Sequence, residues 1–76
     1  MKKYTKKVVS YIYAYPFDGD YSKIFSGISV SETDRDEVTG NGPYGMIAVN
    51  PKDQDDRWYV NHQYFQDNYQ EMPEQK

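Results

Sequence analysis

Cysteine and leucine are both absent from this chain. Without cysteine there is no disulfide framework and no thiolate metal site, a composition that fits a reducing cytoplasm. Without leucine, the core has to be filled by isoleucine, valine and aromatic rings. No apolar run approaches the ~20 residues that a membrane-spanning helix needs. The lysine-rich start lacks the apolar centre of a signal peptide, so export is not expected. Basic residues are scarce beyond that start. Lys2, Lys3, Lys6 and Lys7 are followed by only five Lys or Arg against twelve Asp or Glu, for a net charge of −3. A duplex-binding protein needs a continuous basic footprint, so direct binding to duplex DNA is not expected.

What is abundant is tyrosine: nine Tyr, with three Phe and one Trp, in 76 residues. Tyr offers a large rigid contact area with a polar handle and is enriched at interfaces. In a chain without Leu it also serves as core material, and composition leaves both uses open. A domain this small buries only a little over ~60% of its unfolded surface, so homodimerisation is a natural way to gain buried area.

The strand expected at the centre is Lys6 to Pro16, a run of β-branched and aromatic residues unbroken before Pro16. Alternation puts Val8, Ser10, Ile12 and Ala14 on one face and Val9, Tyr11, Tyr13 and Tyr15 on the other. Pro16 to Asp20 reads as a turn. Tyr21, Ile24, Phe25 and Ile28 then share one face of a short helix, with Asp20 as its N-cap and Gly27 as its left-handed end. Ser29 to Ser31 suits a short strand, and the acidic run Glu32 to Glu37 reads as a charged loop. The glycine-rich stretch 38–45 is a turn rather than a phosphate cradle, because no Lys-Ser/Thr pair and no helix follow it. Met46 to Asn50 is a second strand, Lys52 to Asp56 a polar turn, and Arg57 to Val60 the returning strand of a hairpin. Asn61 is placed to cap a last helix over 62–68. The expected fold is therefore α+β: one domain over residues 4–70, a three- to four-stranded, mostly antiparallel sheet with two short helices, and flexible tails at 1–3 and 71–76. Ile12, Ile24, Phe25, Ile47 and Val49 are its expected core.

Tyr4-Thr5-Lys6-Lys7-Val8-Val9, the turn and strand Gly42-Pro43-Tyr44-Gly45-Met46-Ile47, and the pair Trp58-Tyr59 followed by Phe65 and Tyr69 occur in that order. Together they resemble small tailed-phage proteins that open on Tyr-x-Lys-Lys and carry a Pro-Gly-Asp-Tyr-like turn. The resemblance implies a phage context, with the bacterial host cytoplasm as the place of action, and a fold shape. It implies no reaction.

No catalytic constellation stands out. His62 is the single histidine, with no Ser–His–Asp context and no Cys nucleophile. Asp53-Gln54-Asp55-Asp56 superficially suggests a calcium loop, but that loop needs a bidentate Glu at its twelfth position, which here is Tyr64. Neither a metal nor a cofactor is expected, and the expected function is non-enzymatic: binding and inhibition of a host protein. Acidic side chains can occupy sites made for nucleic-acid phosphates, because a basic cleft attracts either. A replication clamp or its loader, a polymerase or a nuclease-based defence system are the expected targets. The contact residues expected are Glu32, Asp34, Asp36, Glu37, Asp53, Asp55 and Asp56 as the charged rim, with Tyr44, Trp58 and Tyr64 as anchors. The alternative is a small-ligand binder whose aromatics stack on a nucleotide; a virion accessory role is a third.

Overall fold

The computed structural model describes residues 1–5 and 11–71, and for Phe25 and Ser26 the backbone alone. Its six strands are β1 (Lys2–Thr5), β2 (Tyr11–Pro16), β3 (Ile28–Ser29), β4 (Met46–Asn50), β5 (Asp53–Val60) and β6 (Gln70–Glu71). They form one mixed sheet in the order β3-β5-β4-β2-β1-β6. All neighbouring pairs are antiparallel except β3 and β5, which run parallel. Two helices, α1 (Arg35–Thr39) and α2 (His62–Asn68), and two 3-10 segments, Tyr21–Ser26 and Glu32–Asp34, complete the α+β domain. No helix among the described residues is long and apolar enough to cross a membrane.

The sheet is larger than the three to four strands expected. Lys2 to Thr5, whose first residues read as a tail, pair with β2, Lys2 lying opposite Ala14 and Thr5 opposite Tyr11. Gln70 and Glu71 add a last strand against Thr5 and Tyr4. Residues 6–10 of the expected central strand and residues 72–76 lie outside the described residues. The remainder of that strand, β2, does sit centrally, between β1 and β4.

Residues directly opposite in a ladder share a face. One face therefore carries Tyr15, Ile47 and Tyr59 in a row, followed by Tyr13, Val49 and Arg57. The other carries Ala14, Ala48 and Trp58, then Pro16, Met46 and Val60. The chain from β2 to β3 covers the first face. Phe17 and Ile24 pack there with Val38 of α1 against Ile47 and Tyr59, all buried. Ile24, Ile47 and Val49 are buried as expected, whereas Ile12 is half-buried on the opposite face, across from Tyr4. The side chain of Phe25 lies outside the described part.

Local chemistry explains the connections. Asp20 accepts from the Ser22 amide at 3.1 Å, and Gly27 closes the segment with φ of 101°. The segment is 3-10 rather than α-helical, as the Lys23 amide bond to the Asp20 carbonyl at 3.1 Å requires. Glu32 to Glu37, expected as a loop, is helical because Val38, inside α1, anchors it: at 1% exposure it is among the most buried side chains and pins the turn to the sheet. The expected hairpin is present but tighter, turning at Pro51 and Lys52 so that Asp53 lies opposite Asn50. Asp53 to Asp56, expected as a turn, are consequently part of β5. Charged side chains suit the exposed edge of such a strand, where they discourage pairing with other chains.

Candidate functional site

Val60 is buried and ends β5, and Asn61 then turns the chain into α2. The Asn61 side chain accepts the Tyr64 amide at 2.7 Å, and its carbonyl accepts the Phe65 amide at 2.9 Å. This capped start sends α2 across the Trp58 face of the sheet toward β6. Phe65 meets the Tyr4 ring edge-on at 4.7 Å and stacks on Tyr69 at 5.1 Å. Between α2 and the end of β5 an open cleft of about 290 Å³ remains, walled by Trp58, Tyr64 and Tyr69. Asp34, Tyr59, Val60 and Asn61 complete its lining.

Parallel pairing of β3 with β5 brings Asp34 there, because the 3-10 turn after β3 lies beside the end of β5. The Asp34 carboxylate is held from both sides. Oδ1 accepts from the Asn61 amide nitrogen at 3.0 Å, and Oδ2 accepts from the Ser31 hydroxyl at 2.9 Å. Both donors are neutral, so they orient the charge without cancelling it.

Behind the cleft lies a second network. The Tyr59 hydroxyl donates to Glu37 Oε2 and accepts the Gly45 amide at 2.6 Å. Glu37 Oε2 also accepts the His62 amide at 2.9 Å, and His62 Nδ1 lies 3.2 Å from the Tyr44 carbonyl oxygen. Burial, reinforced by the bond to Glu37, pushes the Tyr59 phenol above its usual pKa. The hydroxyl therefore stays protonated and braces α1, β4 and the start of α2 together.

Asp34, Trp58 and Tyr64, proposed from sequence as contact residues, thus meet in one cleft. Glu32 and Asp36 are exposed on the neighbouring helical turns, whereas Glu37 points inward to Tyr59. Tyr44 is half-buried, its ring edge-on to Phe17 at 5.2 Å and its hydroxyl donating to the Gly40 carbonyl at 2.5 Å, which makes it part of the turn. Asp53, Asp55 and Asp56 are exposed at the opposite end of β5. Four to seven residues of extended chain, roughly 13–23 Å, separate them from Val60. Asn61 and Tyr69 also line the cleft, although the sequence marked Asn61 only as a cap and Tyr69 only as part of the aromatic motif. The tyrosine excess serves core and surface together: Tyr59 is buried, Tyr64 exposed, and the other seven half-buried.

Lys2 and Lys3 lie on β1, with the Lys3 ammonium 4.8 Å from the Tyr11 ring centre, while Glu32, Asp34 and Asp36 lie on the helical turns beside the end of β5 and Asp53, Asp55 and Asp56 on β5 itself. Ion pairs among the described residues are Lys2 with Glu71 at 3.4 Å and Lys23 with Asp18 at 2.5 Å. Bonding to Lys23 holds the Asp18 carboxyl below its usual pKa. None of the seven carboxylates proposed as the contact rim belongs to either pair. No three His, Asp or Glu side chains converge on a metal-sized site among the described residues.

Fold and site together define a small six-stranded α+β domain with an aromatic, carboxylate-bearing cleft at one end of its sheet. Comparison with protein-family models, curated proteins and solved structures finds no match to this chain.

Proposed function

We propose that this chain is a small, non-enzymatic phage protein that binds a host protein in the bacterial cytoplasm and inhibits it. The contact surface is the acidic, tyrosine-rich end of the sheet: the turns carrying Glu32, Asp34 and Asp36, the end of β5 and the exposed side of α2. The supporting observation is that these carboxylates form no ion pair among the described residues and stand beside an open aromatic cleft. A partner with a basic, nucleic-acid-binding surface complements such a patch, as in a replication clamp or its loader, a polymerase or a defence nuclease. Asp53, Asp55 and Asp56 supply a second acidic point at the far end of β5. The small core also favours a homodimer, which sedimentation equilibrium tests.

The alternative, a nucleotide-binding protein, draws on the same cleft. Its lining contains a carboxylate and no Lys, Arg or His, which disfavours a phosphate. Pull-down from a bacterial lysate with mass spectrometry separates the readings. One stoichiometric protein, released by salt, is the expected result; a copurifying nucleotide and no protein would overturn it.

A further inference from the structure

The cleft has a chemical preference of its own. Trp58, Tyr64 and Tyr69, aromatic residues whose rings have electron-rich π faces, line it together with Asp34, and one face of Tyr69 is already stacked on Phe65. The Asp34 carboxylate is fixed by two neutral donors and faces no cation among the described residues. Aromatic faces beside an oriented carboxylate are the elements that recognise an organic cation, through cation–π attraction and a charge-assisted hydrogen bond. A guanidinium fits best, because its flat face stacks on rings while its edge donates to carboxylate oxygens. At about 290 Å³ the cleft is at the small end of the ~300–1,000 Å³ range of ligand pockets, so it suits one side chain or a similarly small cation.

We infer that the cleft between β5 and α2 is a guanidinium-binding site, with Asp34 as counter-ion and Trp58, Tyr64 and Tyr69 as stacking walls. The guanidinium comes either from an arginine of a protein or from a free small cation. Identifying the protein source as the inhibited host partner rests on the function proposed above; the site itself does not.

The test uses the full chain and N-acetyl-argininamide as probe. Trp58 is the sole tryptophan and lines the cleft, so its emission reports occupancy directly. At constant ionic strength the probe should shift that emission saturably, and the citrulline counterpart, equal in shape but uncharged, should not. Asp34→Asn, whose amide oxygen can still accept from the Asn61 side chain and whose amide nitrogen can donate to the Ser31 hydroxyl, should weaken binding about tenfold. Tyr64→Ala, at a residue 44% exposed and checked for folding by circular dichroism, should weaken it too. An arginine-containing peptide that binds more tightly than the amide assigns the guanidinium to a protein; equal affinity assigns it to free cations. No saturable response, or an equal response to citrulline, overturns the site. Either failure leaves the lysate capture intact as a separate test of host-protein binding.

Discussion

Replacing Tyr59 by Phe removes one oxygen from the interior while leaving the ring packing in place. Tyr59 is 5% exposed, and its ring meets Phe17 edge-on at 5.7 Å. The lost hydroxyl serves two partners, donating to the Glu37 carboxylate and accepting the buried Gly45 amide. A hydrogen bond to a charged group contributes about 1.5–3 kcal/mol, and a stranded buried amide costs about 1–3 kcal/mol. The two overlap, so a loss of about 2–4 kcal/mol is expected, a large fraction of the roughly 4–11 kcal/mol available to a chain of this length. The pH dependence adds a sharper signature. The folded phenol has a raised pKa, so its contribution is fully present below the unfolded value of about 10 and is lost as pH rises beyond it. Above that pH the unfolded chain gives up a proton that the folded chain keeps. The parent's advantage over Tyr59→Phe should then shrink by about 1.4 kcal/mol per pH unit. Urea unfolding of both proteins at pH 7 and between pH 9.5 and 11, followed by circular dichroism, measures this. A difference under about 0.5 kcal/mol at pH 7, or one unchanged at high pH, would refute the brace.

Phe17→Ala should cost about 3–5 kcal/mol, because the ring joins Tyr44 and Tyr59 in the buried cluster; thermal melting checks this. Gly45→Ala should also destabilise, by about 1–3 kcal/mol or more, since a Cβ there would lie 1.8 Å from the Val60 carbonyl oxygen and force β4 from β5. His62→Ala should leave partner capture unchanged and cost under about 1.5 kcal/mol, because the backbone amide still reaches Glu37 and only the Tyr44 contact is lost. Loss of capture in a folded His62→Ala protein would instead place His62 at the contact with the partner.

Local signals in this chain were legible where they were self-contained. β4, α2 with its Asn61 cap, and the Asp20 and Gly27 ends of the segment between them are each specified within a few residues. Glu32 to Glu37 was not, because its helical state depends on one apolar residue, Val38, whose burial is decided by the sheet. β3 and β6 are two residues each and carry no pattern of their own. Asp53 to Asp56 have poor strand propensity and are held by pairing across a tight turn. The cleft was half legible. Trp58 and Tyr64 stand out as large aromatics, but their meeting with Asp34 requires the parallel β3–β5 pairing, which joins residues 29 apart in sequence. Glu37 was misplaced for the same reason: its partner Tyr59 lies on a strand that comes 22 residues later.

Association kinetics with the captured host protein test the acidic contact surface most directly. Parent, Asp34→Asn/Asp36→Asn and Tyr64→Ala, each verified as folded, are compared from ~0.05 to ~0.5 M salt, where the screening length falls to a few ångströms. Rim charges chiefly raise the association rate, whereas buried aromatics slow dissociation. The association rate should therefore fall with salt and in the Asn pair, and the dissociation rate should rise in Tyr64→Ala and, through the lost Asp34 counter-ion, in the Asn pair. Binding indifferent to salt and to the Asn pair would contradict the account and leave these carboxylates a role in solubility alone.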